Sequence, residues 1–394
     1  MPAPIILTAM TSTSALGRGL NALHAALANG TSGLRVNDFA AAPLPTWIGR
    51  VDGVEDERLP QELADHTCRN NQLAQLALRQ DGFMEAVAAA RARYGAHRVA
   101  VILGTSTSGI FETELAFRER RKKGAWPEGL HYREQHNLYA LTDFVRKRLG
   151  LQGPGLVIST ACSSSAKVFA SAARYLRQGL CDAAVVGGVD TLSLTTLYGF
   201  SSLELVSSEP CRPWDAARKG ISIGEAAGFA LLERDGEGDI ALAGYGESAD
   251  AYHMSTPHPE GAGAAQAMRA ALAMAQLDAA QIDYVNLHGT GTPTNDASED
   301  RAVQSVFGTS VPCSSTKGAT GHTLGAAGIT EAVIAAMCLR HGLIAGGGKH
   351  IDPDPQLKAN YVREPRRKPL AHVLSNSFGF GGSNCSLLLS KAAA

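Results

Sequence analysis

The sequence predicts an α/β fold with buried, mixed sheets and two related halves. Short apolar runs rich in β-branched residues alternate with longer helical stretches along the 394 residues, which is typical of sheets covered by helices. Two Ala-rich helical stretches, 163–178 and 328–341, each follow a strand and a Ser/Thr/Gly-rich turn. Because each would bury small residues on all sides, we expect a central helix between sheets in each half, with the halves spanning 1–235 and 236–394.

Individual elements follow from periodicity and from turn residues. Buried strands are predicted where short apolar runs end in small polar residues or glycine: 5–7, 99–103, 156–158, 183–186, 284–287 and 373–374. Helices are predicted over 71–94, 163–178, 264–277 and 328–341. A glycine follows three of these helices, as expected for a residue that enters the left-handed conformation without a side-chain penalty. The charged stretches 118–123 and 363–368 are expected to be solvated surface loops, with docking of an acidic partner as the alternative.

Composition excludes several classes of protein. The chain has 36 Lys and Arg against 37 Asp and Glu, so it lacks the overall positive field that favours nucleic acid or an anionic membrane. The N-terminal segment carries no Lys or Arg before its short apolar run, and no stretch approaches the roughly eighteen apolar residues of a membrane-spanning helix. We therefore expect a cytoplasmic protein without membrane insertion. The seven scattered cysteines never form a C-x-x-C pair, which disfavours a disulfide framework or a zinc site.

The most informative segment is LVISTACSSSA at 156–166. A buried strand leads into a turn of small residues, and Cys162 falls where the next helix begins. Unpaired amides and the helix dipole at such a position favour the thiolate, and they lower the pKa of a nucleophile. A buried structural cysteine is the alternative. That structural role is the interpretation of the other six cysteines: Cys68, Cys181, Cys211, Cys313, Cys338 and Cys385.

Two histidines lie in comparable turns. His288 comes directly after a strand and before the turn GTGTP, a position suited to proton transfer or to stabilising an oxyanion. Lys317 and His322 share a polar turn before a helix, where the helix start would favour a neutral imidazole. Either histidine alone is more often structural, whereas both together with a cysteine in an equivalent turn favour an active site.

The segment SNSFGFGGSN at 375–384 contains three glycines and two phenylalanines. It is either a tight loop on the core or a flexible gate that carries an aromatic plug. The spacing matches neither of the glycine-rich patterns that bind nucleotide phosphates. Nucleotide chemistry is therefore not expected.

Five blocks of sequence together resemble one family. They are TACSSS at 160–165, RPWD at 212–215, HGTGTP at 288–293, KGATGHTLGAAG at 317–328 and NSFGFGGSN at 376–384. In order and spacing they resemble the elongating β-ketoacyl-acyl-carrier-protein synthases of the thiolase superfamily, over nearly the whole chain. The resemblance implies a thiolase-like five-layered αβαβα fold with two pseudo-symmetric halves. It also implies a dimer, either a homodimer or a heterodimer with a homologous subunit.

The resemblance further implies a decarboxylative Claisen condensation in fatty-acid or polyketide-type chain elongation. Cys162 matches the nucleophile that holds the acyl chain, while His288 and His322 match the pair that promotes malonyl decarboxylation and stabilises the enolate. The substrates would be carried on the phosphopantetheine of acyl carrier protein, with no metal and no organic cofactor. The remaining implied roles are support of the histidines by Lys317, an oxyanion hole from the amides of Cys162 and Phe380, a gate of Phe200, Phe378 and Phe380, pantetheine binding by Thr290 and Thr292, and a supporting carboxylate on Glu331.

Related branches differ at specific residues. Priming synthases use a Cys-His-Asn set of catalytic residues, whereas the third position here is His322. Thiolases use a second cysteine near the C-terminus, but Cys385 follows a different glycine pattern, and chain-length-factor subunits lack the nucleophile found here as Cys162. Two alternatives stay open: an acyltransferase or hydrolase that uses the same acyl-enzyme, and a non-catalytic partner subunit of a ketosynthase heterodimer.

The chain also departs from the fatty-acid enzymes. Glu204 stands where those enzymes often carry an arginine that contacts the acidic carrier protein, and Arg69 is the one basic residue left of a pair near position 68. The stretches 219–228 and 104–110 differ from the usual pattern as well. These departures favour a specialised synthase, of a polyene or polyketide-like pathway such as the bacterial aryl-polyene systems.

Overall fold

A computed structural model describes residues 4–392. The strands of the first half are β1 (Ile5–Ser14), β2 (Gly17–Arg18), β3 (Arg35–Val36), β4 (Trp47–Gly49), β5 (Val99–Gly104), β6 (Gly155–Ile158), β7 (Ala183–Asp190), β8 (Ile223–Gly224) and β9 (Ala226–Glu233). The helices of this half are α1 (Gly19–Asn29), α2 (Arg69–Leu78), α3 (Phe83–Tyr94), α4 (Ile110–Lys123), α5 (Tyr139–Leu149), α6 (Ser164–Arg177) and α7 (Leu194–Ser202).

The second half repeats the alternation of strands and helices. Its strands are β10 (Ile240–Ala249), β11 (Tyr284–Asn286), β12 (Pro312–Ser314), β13 (Leu343–Ile344), β14 (Asn360–Tyr361), β15 (Arg366–Arg367), β16 (His372–Gly379) and β17 (Ser383–Lys391). Its helices are α8 (Ala262–Ala275), α9 (Pro293–Phe307), α10 (Lys317–Thr320) and α11 (Ala327–His341).

The two halves contain the same five-stranded sheet. The strands of the first half lie in the order β6-β5-β7-β9-β1, and those of the second in the order β12-β11-β16-β17-β10. In both sheets the first three strands are parallel and the last two pair antiparallel. The sheets join where β1 pairs with β10. The prediction of mixed sheets in two pseudo-symmetric halves is confirmed, while the boundary at residue 235 stays a prediction.

The layers are those of the αβαβα arrangement. Helices α6 and α11 contact each other and strands of both sheets, so they form the central layer. Helices α2, α3 and α5 cover the outer face of the first sheet, and α8 covers that of the second. Close packing of the central helices requires a glycine, because a Cβ at Gly328 would lie 2.3 Å from the backbone nitrogen of Ala166. The expectation of a central helix in each half is confirmed.

Two local predictions are wrong. The stretch 71–94 is not one helix, because Asp81 and Gly82 adopt positive φ angles of 57° and 67° and separate α2 from α3. The side chain of Asp81 is held there by the hydroxyl of Thr11 and the backbone amide of Leu20, which compensates a conformation that L-residues avoid.

The charged stretch 118–123 is also not a loop. It forms the exposed C-terminal turns of α4, where basic side chains interact favourably with the helix dipole. Within 363–368, residues Arg366 and Arg367 form the exposed strand β15. No helix between residues 4 and 392 has both the length and the apolar character needed to cross a membrane.

Candidate active site

Cys162 lies in a sharp turn between β6 and α6. The preceding residue, Ala161, has a φ of 51°, and the hydroxyl of Ser164 donates to its carbonyl at 2.6 Å. The same hydroxyl accepts from the backbone amide of Thr160 at 2.9 Å. This short polar turn places the thiol just before the first turn of α6, as the sequence predicts.

The loop after β16 approaches this turn from the other half of the chain. The backbone amide of Phe380 lies close enough to Cys162 to lower the pKa of its thiol, and both residues line the same cavity. Gly379 allows the approach, because a Cβ there would lie 2.7 Å from the carbonyl oxygen of Thr160. A backbone amide beside the reacting sulfur is suited to hold the oxygen of a bound thioester.

The prediction of a lowered pKa for Cys162 is wrong for the unliganded protein. Burial raises the pKa of this thiol to about 11, and the positive charge of Lys317 and the Phe380 amide only partly oppose that effect. The free energy lost when the thiolate is removed from water exceeds the free energy gained from the neighbouring charge and dipoles. The group is therefore a protonated thiol at neutral pH, and its proton must leave when it is acylated.

His288 is fully enclosed and held on both sides. Its backbone amide and that of Gly289 donate to the carboxylate of Glu299 at 2.8 and 2.7 Å. The ammonium of Lys317 lies 3.4 Å from its Nδ1 and also donates to its carbonyl oxygen. Burial lowers the pKa of His288 well below its ordinary value, and Lys317 acts in the same direction. With Nδ1 facing a donor, the neutral ring carries its proton on Nε2.

His322 is held in the same tautomer by a different contact. The backbone N–H of Leu324 donates to its Nδ1 at 3.2 Å, so the proton again lies on Nε2. Strand β8 fixes the backbone of His322, which donates to Ser222 and accepts from Gly224. Burial lowers the pKa of His322 well below its ordinary value, followed by the charge of Lys317. The structure thus gives burial, rather than a helix start, as the main reason for a neutral ring.

The three groups converge. One ligating atom from each of Cys162, His288 and His322 lies within 4.8 Å of the other two, and the two imidazole planes are nearly perpendicular with centroids 5.4 Å apart. Lys317, which is 1% exposed, forms an ion pair with Glu331 behind the histidines. Burial raises the pKa of Glu331 to about 7, and Lys317 opposes this shift.

Cys162, His288 and His322 line one cavity. Thr290 and Thr292 line it, with their hydroxyls 2.9 Å apart. Phe200, Phe378 and Phe380 also line it. The ring centroids of Phe200 and Phe380 are 5.7 Å apart, and the ring of Phe378 is largely buried, 5.8 Å from that of His288. The structure therefore brings together all the candidate site residues singled out in the sequence.

Sequence reasoning missed some buried carboxylates at the site. Glu299 holds the His288 turn, and burial raises its pKa to about 7. Asp190 ends β7 and accepts from several donors around the active site. The signal available for Asp190 was an acidic residue at the end of an otherwise apolar strand.

Arg69, the basic residue that remains of the pair near position 68, is buried. Its side chain is 4% exposed and pairs with the fully buried carboxylate of Glu225 and with Glu55. Glu204 lies on the surface at a positive φ of 58°. Arg69 thus belongs to a buried ion pair within the fold.

Comparison with known families matches two adjoining models to this chain. Residues 3–237 match the beta-ketoacyl synthase N-terminal domain, and residues 240–347 match the beta-ketoacyl synthase C-terminal domain. Cys162 lies within the first match, and both histidines lie within the second.

Individual relatives span the whole chain. The 3-oxoacyl-[acyl-carrier-protein] synthase 2 of Vibrio harveyi is 31% identical, with 99% of each chain covered. A chain from the complex of a Xenorhabdus doucetiae ketosynthase with its chain length factor is 39% identical, with a TM-score of 0.92 and with 99% of this chain and 98% of that chain covered. A beta-ketoacyl synthase of Burkholderia phymatum is 28% identical, with a TM-score of 0.88 and with 99% and 100% covered.

Proposed function

The chain belongs to the beta-ketoacyl synthase family, and we propose that it condenses an acyl chain held on Cys162 with a malonyl unit carried by an acyl carrier protein. One observation carries this proposal. Atoms of a buried thiol and of two neutral imidazoles lie within 4.8 Å of one another in the lining of one cavity. That set supplies a nucleophile and two N–H donors in a place shielded from bulk water.

The first half-reaction is transfer of the acyl group. The Cys162 sulfur attacks the thioester carbonyl of the acyl donor, the carrier thiol leaves, and the proton of the Cys162 thiol passes to that leaving thiolate. The backbone amides of Cys162 and Phe380 are proposed to hold the carbonyl oxygen. The Phe380 amide already lies near the thiol, whose pKa it lowers, so little reorganisation is needed when charge develops on that oxygen.

The second half-reaction forms the carbon–carbon bond. Loss of carbon dioxide from the malonyl thioester leaves its electron pair as an enolate, whose carbon attacks the acyl group on Cys162 and expels the sulfur. The Nε2–H groups of His288 and His322 are proposed to donate to the enolate oxygen. Neutral rings with a defined tautomer are suited to donate in this way, and burial keeps both rings neutral.

We propose that no metal or organic cofactor takes part. The cysteine and the two histidines could in principle ligate zinc. A metal-bound histidine, however, normally donates from its other ring nitrogen, whereas here that nitrogen of His322 accepts from the Leu324 amide. The buried ammonium of Lys317 beside His288 also opposes a second cation.

Acyl carrier protein is the proposed substrate carrier, as the name of the Vibrio harveyi relative says of that enzyme. Thr290 and Thr292 line the same cavity as the histidines, and their hydroxyls are suited to hydrogen-bond the amides of a phosphopantetheine arm. Further polar residues of the lining include Ser255 and Thr256.

A second chain of the same fold is the proposed structural partner, either a copy or a chain length factor as in the Xenorhabdus doucetiae complex. Strand β6 ends the first sheet, and in residues 4–392 it pairs only with β5. Its apolar residues Leu156, Val157 and Ile158 are partly exposed. The equivalent strand of the second sheet, β12, is covered by β14. An uncovered apolar edge strand favours pairing with another chain.

The pathway is proposed to be specialised, of the polyene or polyketide type. The identity of 39% to a chain of the ketosynthase and chain-length-factor complex exceeds the 31% to the Vibrio harveyi synthase 2. The departures at Glu204 and at 219–228 support the same assignment, in a compartment proposed to be the cytoplasm.

The test is to incubate the purified chain, alone and with a homologous partner subunit, with acyl-loaded and malonyl-loaded carrier proteins. We expect an acyl adduct on the peptide that contains Cys162, release of carbon dioxide and an extended product. Cys162→Ala should lose the adduct and the product. Condensation by Cys162→Ala would overturn the assignment, and an adduct released to water without decarboxylation would identify a hydrolase. Absence of any adduct in either mixture would identify a non-catalytic subunit.

A further inference from the structure

Asp190, the last residue of β7, is a buried carboxylate surrounded by hydrogen-bond donors. Its Oδ1 accepts from the hydroxyls of Thr105 and Thr107 at 2.7 and 2.8 Å. Its Oδ2 accepts from the hydroxyl of Ser106 at 2.5 Å and from the backbone N–H of Gly325 at 2.6 Å. The backbone amides of Ser106 and Thr107 complete the set. Every donor is neutral, and within residues 4–392 no Lys or Arg forms an ion pair with this group.

These contacts join the two halves of the chain at the active site. Residues 105–107 follow β5 in the first half, whereas Gly325 comes three residues after His322 in the second. The approach leaves no space for a side chain, because a Cβ at Gly325 would lie 2.6 Å from Oδ2 of Asp190 and 2.7 Å from the amide nitrogen of Ser106. Asp190 therefore anchors a turn that belongs to the opposite half.

That turn determines the tautomer of His322. Two successive backbone amides of this turn donate to different acceptors. The Leu324 N–H donates to Nδ1 of His322, and the Gly325 N–H donates to Asp190. Leu324 has a positive φ of 53°, a conformation that costs free energy for an L-residue and persists only when its surroundings hold it. The carboxylate of Asp190 supplies one of those restraints.

We propose that Asp190 is a positioning residue for decarboxylation, because it anchors the turn through which His322 presents its Nε2–H to the substrate. This inference rests on the proposed condensing function. It adds a role for a residue that touches neither substrate nor Cys162 and acts through the Gly325 amide.

The charge of Asp190 provides a readout that a merely structural role would not give. Burial is the largest cause of the raised pKa of Cys162, and the negative charges of Asp190 and Glu331 add to it, while Lys317 and the Phe380 amide oppose it. The other groups at the sulfur, His288 and His322, are neutral. Neutralising Asp190 should therefore make the Cys162 thiol more acidic and faster to alkylate, even as decarboxylation slows.

The variant Asp190→Asn keeps the size of the side chain but removes its charge. It also replaces one acceptor oxygen by an NH2 group, so either the Gly325 amide or the amides of 106–107 must face a donor. We expect malonyl-carrier decarboxylation to fall at least about tenfold, as for a displaced catalytic group. Iodoacetamide labelling of Cys162 at fixed pH, followed on its peptide, should become about threefold faster or more.

Two further variants separate anchoring from charge. Gly325→Ala pushes the amide away from Asp190 but keeps the carboxylate, so decarboxylation should fall without faster alkylation. Asp182→Asn is the matched control, because Asp182 precedes the other end of β7 and pairs with Arg98 and Arg234 at the surface; both rates should stay within about twofold.

The outcomes decide the proposal. Decarboxylation at the wild-type rate by folded Asp190→Asn or by Gly325→Ala overturns it. It is also overturned if Cys162 of Asp190→Asn is alkylated no faster than Cys162 of the wild type. If Asp190→Asn does not fold, Gly325→Ala alone decides. A wild-type chain that does not decarboxylate malonyl-carrier protein would instead contradict the proposed function, and the alkylation comparison would still test the link between Asp190 and Cys162.

Discussion

Phe380 and Cys162 line the same cavity, and the Phe380 backbone amide lowers the pKa of the Cys162 thiol, although the two residues belong to different halves of the chain. The second half thereby completes the surroundings of a nucleophile that the first half carries. Both histidines also come from the second half, so the active site lies where the halves meet. Small changes in the packing between halves should therefore alter chemistry before they alter stability.

The space around Gly379 gives a first prediction. A Cβ at this position would lie 2.7 Å from the carbonyl oxygen of Thr160 and 3.2 Å from the hydroxyl of Ser163. Gly379→Ala should displace the Phe380 amide from Cys162 and lower the rate of Cys162 acylation by about tenfold or more, since losing one oxyanion donor costs at least that much. Intact-mass measurement of the acyl adduct over time would show it.

Gly199→Ala is the matched control for this change. Gly199 lies within α7 next to Phe200, and a Cβ there meets nothing within 4 Å. Alanine is the better helix former by about 1 kcal/mol, so this variant should be slightly more stable and acylate normally. Normal acylation by Gly379→Ala would show that the close contact is not needed.

The pKa of Cys162 gives a second prediction. Because burial raises it to about 11, the thiolate fraction should increase about tenfold for each pH unit through the neutral and mildly alkaline range. Iodoacetamide labelling of this cysteine should rise accordingly, with no plateau below about pH 10. A plateau near neutral pH would reveal a thiolate already formed, and Cys162→Ser supplies the blank.

The neutral histidines give a third prediction, on the acid side. The pKa values of His288 and His322 lie well below the ordinary value of 6.5, so both rings should stay neutral where an exposed histidine gains a proton. The NMR signals of both rings should therefore stay those of neutral imidazoles between pH 7.5 and about pH 6, whereas the activity also depends on Glu299 and Glu331, whose pKa values lie at about 7. A ring that gains a proton with a midpoint near 6.5 would contradict this, provided that circular dichroism shows the chain folded throughout.

The buried pair of Arg69 and Glu225 gives a fourth prediction. Arg69→Ala leaves the carboxylate of Glu225, which is fully buried, without its cation. The free energy of unfolding should fall by about 3–5 kcal/mol, measured by urea denaturation. Arg79→Ala removes an arginine that is 59% exposed and should cost less than about 1 kcal/mol. Equal losses of unfolding free energy from the two substitutions would contradict the buried position of Arg69.

Much of the fold follows from local patterns. Strands such as β5 and β7 are continuous apolar runs, and α6 and α11 end at turns that the glycines after them indicate. The break between α2 and α3 was missed because Asp81 adopts its left-handed conformation through contacts with Thr11 and Leu20, which are distant in sequence. The helical end of α4 was missed because its charges obscured the helical period.

The sequence by itself determined the α/β class, the paired halves and the identity of the groups at the active site, because these depend on residue type, spacing and short motifs. The tertiary structure decided their chemical states. Burial makes Cys162 a protonated thiol rather than the thiolate that a helix start favours, and it keeps the two imidazoles neutral. The tertiary structure also places Arg69 in the core and Asp190 at the contact between the two halves. Desolvation and contacts across the chain decide these properties, and both depend on neighbours that no local pattern specifies.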